Sequence, residues 1–185
     1  MKKYFLSILV LLLLSCNSKQ SKEIGLEIGG NFDNEGKAIV AKVIQTKFGN
    51  GNIKDGKSND YVVSFNDTTI KPLKISCSCS NLILINEGDL NNDGIDEISI
   101  ASVSNINSII DLQTYSVSEK RFRTLLMSVV GVKKEVEQSK LQDFIAKSGD
   151  NIIQYSYFEG IIVNSKNGMT QNKISKKVTK IEYLD

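Results

Sequence analysis

The sequence predicts an all-β fold, and three observations support that prediction. From Ile24 onward, short apolar runs rich in Val, Ile, Tyr and Phe are separated by Gly, Asn and Asp, which are strand and turn signals. The links between these runs are short, and short links join antiparallel neighbours. Only one segment shows helical periodicity. We therefore expect a compact antiparallel meander or sandwich of about eight to ten strands.

Residues 1–15 have the pattern of a signal peptide. Two lysines precede an apolar run from Phe5 to Leu14, and a small residue and a cysteine follow it. A run of about ten apolar residues is too short to cross a hydrocarbon core, which needs roughly 20. The segment Leu13–Cys16 resembles the lipobox of bacterial lipoproteins. That resemblance implies cleavage before Cys16, three acyl chains at Cys16 as a membrane anchor, and a place in the bacterial cell envelope.

Residues 16–23 form the lipidated cysteine and a polar tether in this interpretation, because Asn17–Glu23 offers no apolar side chain to bury. Asn17 differs from the Asp that resembles an inner-membrane retention signal, so the resemblance favours the outer membrane and leaves the membrane face open. Residues 24–185 are then one β-rich domain. Cleavage shortens the chain from 185 residues by 15, to 170, and the loss of Lys2 and Lys3 lowers the net charge from +2 to 0.

The predicted strands within the domain are runs of four to ten residues with a high content of β-branched and aromatic side chains. In chain order they are Ala38–Lys47, Tyr61–Phe65, Leu73–Cys77, Asn81–Ile85, Glu97–Val103, Ile109–Ser116, Phe122–Ser128, Ile152–Phe158, Ile161–Asn164 and Lys177–Tyr183.

Residues 133–148 allow two interpretations. A helix would place Leu141, Phe144 and Ile145 on one face. The turn residues 149–151 could instead reverse the chain in a hairpin from Asp143 to Tyr157. The hairpin is favoured.

The composition excludes several kinds of chemistry. The chain has no histidine, which rules out a Ser-His-Asp or Cys-His nucleophile pair, a His-ligated zinc and a His general base. With 23 Lys and Arg against 21 Asp and Glu, the charge is nearly balanced. We therefore expect no long-range field that would attract nucleic acid.

Two segments of the chain repeat the same loop pattern. Residues 30–43 match residues 88–101, and each residue lies 58 positions after its counterpart, as Gly88 does after Gly30. Both loops are polar and both enter an apolar, β-rich run. The pattern indicates a two-copy repeat of a turn that presents oxygen atoms and then enters a strand.

The second loop has the spacing of a calcium site. Alternate residues of a tight loop can all turn inward, so Asp89, Asn91 and Asp93 would offer side-chain oxygens, Ile95 a backbone carbonyl, and Glu97 the closing carboxylate. Such an irregular oxygen shell suits Ca²⁺ better than zinc or copper. The motif resembles the calcium loops of the FG-GAP and VCBS repeat families, which are related to integrin-type propellers.

Two other structures could account for the polar spacing of this loop. An EF-hand would need a Glu at loop position 12 followed by a helix, but Ile100 occupies that position within a predicted strand. A polar Asn/Asp/Gly turn that binds no ion stays open. The first loop has Ile39 where the second has Glu97, so we expect it to be a structural relic without an ion.

Residues 51–58 match the G-x-x-x-x-G-K-[ST] pattern of a phosphate-binding loop. That chemistry needs a helix after the loop, whose N-terminal amides bind the phosphates. A strand signal follows instead, from Tyr61 to Phe65. We interpret the segment as an exposed loop and expect no nucleotide partner.

Cys77 and Cys79 flank a single serine beside a predicted strand. On an extended backbone their Cα atoms would be about 6.6 Å apart, near the upper limit for a disulfide. Three states stay open: a local disulfide made possible by a bend, two reduced and buried thiols, or a soft metal or intermolecular role.

The resemblance and the chain length together bound the architecture and function. A closed propeller of four 58-residue units would need roughly 230 residues, so the resemblance implies at most two to three blade-like units. The favoured function is a lipid-anchored, non-catalytic binding or structural module with a calcium loop and an unknown protein or glycan partner. The alternative is a metal-dependent hydrolase that uses the acidic loop. It is less favoured because the loop would largely saturate the ion.

Overall fold

The computed structural model describes residues 22, 24–33, 35–49, 58–104, 109–118, 121–132, 141–164 and 168–181. Among these residues Leu141 alone has a helical conformation, and every longer element is a strand, which confirms the predicted all-β class. The strands are β1 (Ile24–Gly25), β2 (Glu27–Gly30), β3 (Ile39–Lys47), β4 (Asn59–Phe65), β5 (Leu73–Cys77), β6 (Cys79–Gly88), β7 (Glu97–Ser104), β8 (Ile109–Ser118), β9 (Arg121–Val132), β10 (Ile145–Gly149), β11 (Ile152–Asn164) and β12 (Gly168–Lys180).

The strands form three antiparallel sheets. A five-stranded sheet has the order β1-β6-β7-β8-β9, a four-stranded sheet the order β2-β3-β4-β5, and a three-stranded sheet the order β10-β11-β12. In the described part of the chain none of them closes into a barrel or a propeller. This arrangement is consistent with the predicted compact sandwich, and each sheet contains an antiparallel meander.

The five-stranded sheet is the central layer, because both of its faces are covered. Leu82 and Leu84 point into the core shared with the four-stranded sheet. Ile83 and Ile85, which alternate with them, point into the core shared with the three-stranded sheet. Successive side chains of a strand lie on opposite faces, so an uninterrupted apolar run is what a strand between two layers requires.

From Ile145 onward, the segment with two interpretations forms the hairpin. β10 pairs with β11 through Ile145 and Tyr155, and Asn151 in the turn has a positive φ of 54°. A left-handed backbone is tolerated by Asn better than by most residues, which explains the turn at this position. Residues 133–140 lie outside the described residues. β12 begins earlier than predicted, and the two strands predicted between Ile152 and Asn164 are one continuous strand.

The N-terminal predictions fall mostly outside the described residues. These predictions are the signal peptide, the lipidated Cys16 and all of the tether except Lys22. The first strand begins at Ile24. Within the described residues, no helix is long and apolar enough to cross a membrane.

Candidate functional site

The two repeated loops connect equivalent strand pairs. The first joins β2 to β3 and is closed by the pair Gly30 and Ile39. The second joins β6 to β7 and is closed by the pair Gly88 and Glu97. Both closing residues of the second loop lie 58 positions after those of the first, so the sequence repeat is also a repeat of strand boundaries and register.

The two loops also share their backbone and their packing. Gly36 and Gly94 occupy the same loop position and have positive φ values of 71° and 85°. This left-handed conformation is strained for side chains with a Cβ, which accounts for glycine in both copies. Phe32 and Leu90, again at equivalent positions, are buried at 1% and 2% exposure. Each loop is therefore anchored by one apolar residue.

A side-chain oxygen holds the turn at the same place in both loops. Asp33 Oδ1 accepts a hydrogen bond from the backbone N–H of Glu35 at 3.1 Å. Asn91 Oδ1 accepts the equivalent bond from the N–H of Asp93 at 2.9 Å. These Asx turns fix the loop conformation from local sequence alone.

Three of the predicted ligands of the second loop lie together. The Asp89 carboxylate accepts hydrogen bonds from the backbone N–H groups of Asp93 at 3.2 Å and Gly94 at 3.1 Å. The N–H of Ile95 donates to Asp93 Oδ1 at 2.8 Å, and Asn91 Nδ2 donates to Asp93 Oδ2 at 2.9 Å. The oxygens of Asp89, Asn91 and Asp93 are thus turned inward on one loop.

Glu97, the predicted closing ligand, is fully buried beneath this loop. Its Oε2 accepts a hydrogen bond from the backbone N–H of Leu90 at 2.6 Å. Its Oε1 has no hydrogen-bond partner among the described residues. Leaving a buried carboxyl oxygen unpaired is costly, so a proton, a cation or the nearby Ser116 hydroxyl must compensate it.

Burial raises the pKa of Glu97 from its usual 4.5 to about 8, and the nearby Asp93 and Asp89 carboxylates add to the rise. The Leu90 hydrogen bond lowers the pKa, and Ser116 lowers it less. The Ser116 hydroxyl is buried, makes no hydrogen bond of ordinary geometry among the described residues, and acts on Glu97 as a nearby donor. The protonated carboxyl is therefore favoured when no cation lies beside it.

The acidic side chains do not form a ready-made metal site. Among the residues that the structure describes, no three acidic or cysteine side chains converge closely enough to hold an ion. Asp93 is exposed, and Asp89 is partly exposed. Ile95 packs partly against the core between the four-stranded and five-stranded sheets. Binding an ion would therefore require the side chains of Asp89 and Asp93 to rotate within the loop. Ile39, the counterpart of Glu97, is a core residue with 3% exposure.

The two loops are joined to each other by a residue that the sequence pattern did not single out, Asp96. The N–H of Asn31 donates to Asp96 Oδ2 at 2.9 Å, and the N–H of Asp96 donates to Asn31 O at 2.7 Å. Asn86 Nδ2 donates both to Asp96 Oδ2 at 3.0 Å and to Gly29 O at 2.8 Å. Asn31 and Asp96 belong to different copies of the repeat, so these hydrogen bonds join the two copies directly.

We predict that Gly30→Ala destabilises the fold by about 1 to 3 kcal/mol. A Cβ at this position would lie 2.5 Å from Cζ of Phe32 and 2.6 Å from Nδ2 of Asn86. The Phe32 ring is packed in the core and the Asn86 amide is hydrogen-bonded, so neither can move cheaply. Urea denaturation measures the change. Gly25→Ala is the matched control, since its nearest contact is 3.4 Å; equal losses for both variants would contradict the prediction.

The β10–β11 hairpin also holds the second loop. Lys147 Nζ donates to the backbone carbonyl of Asp89 at 2.8 Å and to Asn92 Oδ1. Asn92 Nδ2 donates to Asp150 Oδ1 at 2.9 Å, and Asn92 has a positive φ of 62°. No local pattern could have revealed these partners, because they lie more than 50 residues from the loop.

A buried carboxylate just before the loop binds the only tether residue that the structure describes. Glu87 accepts a hydrogen bond from Lys22 Nζ, which also donates to Ile145 O at 2.6 Å. Burial raises the pKa of Glu87, whereas the Lys22 ammonium lowers it. The sequence predicted a flexible tether through Glu23, but Lys22 packs against the domain.

The segment with the phosphate-loop pattern, residues 51–58, lies outside the described residues except for Ser58. The element that follows Ser58 is the strand β4, not a helix. The structural context that a phosphate-binding loop requires is therefore absent at this point of the described chain.

No protein-family model matches this chain. No curated protein matches its sequence, and no solved structure matches its fold. Functional conclusions must therefore rest on the residues and their geometry.

Proposed function

We propose that the loop Asp89–Glu97 binds Ca²⁺ and that the protein is a lipid-anchored module of the bacterial cell envelope. In this proposal the module is non-catalytic and binds a protein or glycan partner. The observation that carries the calcium proposal is the buried Glu97 carboxyl, whose Oε1 has no partner among the described residues and which lies under two further carboxylates.

A cation in the loop would compensate the cost of burying Glu97. Asp89 and Asp93 already interact electrostatically with Glu97, so its carboxyl lies beside the oxygens of the loop. An ion among these groups would pair with Oε1 and would cancel the repulsion between the three carboxylates. The hydrogen bonds seen within the loop leave further lone pairs on the same oxygens for the ion.

The chemistry of the donors favours calcium over other common ions. All the predicted ligands are carboxylate, amide or carbonyl oxygens, at Asp89, Asn91, Asp93, Ile95 and Glu97. Ca²⁺ accepts six to eight oxygens in irregular geometry, whereas Mg²⁺ requires a small octahedral shell and zinc prefers nitrogen and sulfur. A loop whose side chains must rotate to bind suits the more tolerant ion.

Calcium is expected to raise the melting temperature by about 3 to 7 °C. An ion that binds only the folded state stabilises it by RT ln(1 + [Ca]/Kd), and with Kd near 10⁻⁴ M about 1 to 2 mM ion gives roughly 1.4 to 1.8 kcal/mol. Thermal melts in calcium, magnesium and chelator measure the shift. A melting temperature that is the same in calcium and in chelator would contradict calcium binding and would show that the loop is an ordinary polar turn.

Lipid attachment at Cys16 is the second part of the proposal, and the lipobox-like segment Leu13–Cys16 supports it. Cys16→Ser is expected to abolish fatty-acid labelling in cells, because the thiol is the acylated atom. Cys77→Ser is the control and should keep the label. Equal labelling of the wild type and the Cys16→Ser variant would contradict the anchor.

The non-catalytic part of the proposal rests on coordination and composition. The five ligands would leave few open positions on the ion for a substrate, and the chain has no histidine to act as a base. Assays with phosphoester, peptide and glycoside substrates in calcium test this part. Calcium-dependent turnover that disappears in Asp93→Ala would contradict the non-catalytic proposal and would support a metal-dependent hydrolase.

A further inference from the structure

Cys77 and Cys79 form a disulfide at the corner between two sheets. Their Cα atoms are 5.1 Å apart, and the chain bends at Ser78 between β5 and β6. β5 belongs to the four-stranded sheet and β6 to the central sheet. Of the three states that the sequence left open, the structure has the disulfide.

This disulfide contributes little to holding the fold. It closes a loop of only three residues, and the chain-entropy relation gives such a short loop less than about 2 kcal/mol. Both ends are also held independently, since Cys77 is paired with Asn59 in one sheet and Cys79 with Ser104 in the other. Because strand pairing already holds both residues in place, the fold does not need this disulfide for its stability.

The disulfide forms part of the wall of a cavity of about 300 Å³. The central sheet contributes both polar and apolar side chains to the rest of the lining, among them Asp111, Gln113, Leu82 and Ile100. Cavities that bind small molecules begin at about this volume. A small thiol, or a cysteine side chain with its neighbouring residues, would fit beside the sulfur atoms.

The two cysteines differ in accessibility. Cys77 is partly exposed, whereas Cys79 has only 2% exposure. An incoming thiolate would therefore reach the Cys77 sulfur, and Cys79 would be the leaving group. Such asymmetry between an attacked and a buried sulfur directs exchange to one site, because access decides which sulfur reacts.

We propose that Cys77–Cys79 is a redox-active disulfide that oxidises thiols bound in this cavity. A substrate thiol loses its proton to solvent, and the thiolate attacks Cys77 Sγ to form a mixed disulfide. The bond between the two cysteines breaks, and Cys79 leaves as a thiolate that takes a proton from solvent. A second substrate thiol loses its proton to solvent, and its thiolate attacks the substrate sulfur of the mixed disulfide. The bond to Cys77 breaks, and Cys77 leaves as a thiolate that takes a proton from solvent. The products are a substrate disulfide and the reduced Cys77–Cys79 pair, with two electrons transferred.

Redox titration of the full-length protein with dithiothreitol and its oxidised form tests whether the bond can react in the folded protein. Alkylation and mass measurement give the reduced fraction, and circular dichroism reports the fold. We expect complete reduction at millimolar dithiothreitol with the β-sheet spectrum unchanged. A disulfide that is reduced only when the protein unfolds would overturn the proposal.

Single-cysteine variants test the direction of attack. Oxidised glutathione is expected to modify Cys77 in Cys79→Ser at least ten-fold faster than Cys79 in Cys77→Ser. Equal rates would overturn the assignment of Cys77 as the attacked sulfur.

If either variant unfolds, a second test uses the wild-type protein. One equivalent of the protein is expected to oxidise one equivalent of a fluorogenic dithiol peptide. Failure of that oxidation would also overturn the proposal.

The charge of Asp111 tests whether exchange takes place in the cavity. At pH 8 we expect the cationic thiol cysteamine to react at least five-fold faster than the anionic thiol thioglycolate, after correction for their rates with a small free disulfide. Asp111→Asn should remove this preference, and Asp67→Asn, which is not in the cavity, should keep it. A preference unaffected by Asp111→Asn would place the exchange outside the cavity and would contradict the proposal.

Discussion

The free energy of unfolding of the calcium-free protein is expected to fall by up to about 4 kcal/mol as the pH rises from 5 to 8. The cause is Glu97, because burial raises the pKa of its carboxyl from 4.5 to about 8. Between these values the unfolded chain has released the proton and the folded protein still holds it. The stabilisation is therefore complete below about pH 4.5 and is lost as the pH rises through about 8. Glu87, whose pKa is also raised by burial, acts in the same direction.

Urea denaturation in chelator at several pH values measures this profile. Glu97→Gln is the matched control, because it keeps the shape of the side chain and removes the titration, and its profile should be flatter. Calcium should also flatten the wild-type profile, since a cation favours the ionised carboxyl. A wild-type stability that does not change between pH 5 and 8 in chelator would contradict the burial of Glu97 as an acid.

Asp93→Asn and Glu97→Gln are each expected to weaken calcium binding by ten-fold or more. Each variant removes one negative charge from the shell that the ion would occupy, and EF-hand-type sites lose affinity with each ligand charge. Glu35→Gln should leave the affinity unchanged, because the first loop has the core residue Ile39 where the second has Glu97. Titration calorimetry on the three variants and the wild type measures the affinities.

Glu35 is the appropriate control for Asp93. The two residues occupy equivalent positions in the two loops, and their N–H groups make the equivalent Asx-turn hydrogen bonds. Substituting Ile39 would be a poorer control, because it would leave a cavity in the core between the four-stranded and five-stranded sheets. Two equal calcium sites in the wild type would contradict our interpretation of the first loop as a relic.

The strands could be predicted where local pattern and pairing agree. Leu73–Cys77 was predicted with its observed bounds, because alternating apolar residues end at a clear bend. The strands β1 and β2 were missed, since they are short and rich in glycine and exist only through their pairing with β6 and β3. Two separate strands were predicted on either side of residues 159 and 160, but the ladder with β12 continues through this point.

The candidate site could be predicted only as far as it is local. The Asx turns of the second loop depend on residues two positions apart, and such spacing can be seen in the sequence. The contacts of Lys147 with Asp89, and of Lys22 with Glu87, span more than 50 residues. They depend on how three sheets stack, which no motif encodes. The burial of Glu97 was likewise invisible, because an acidic residue at the start of a strand ordinarily faces solvent.

The double-sided burial of Leu82–Ile85 has a consequence for strand register. In a strand with one wet face, a slip by one residue moves the apolar side chains into water and is strongly penalised. In β6 the same slip would exchange leucines for isoleucines between two apolar layers. Polarity would oppose it only at the ends of the run, where Asn81 or Asn86 would enter a buried position. The alignment must instead be set at the ends of the strand, where the pairing with β7 is irregular between Cys79 and Asn81 and again between Asn86 and Gly88. The bulges that interrupt this ladder are thus what keep its apolar middle in place.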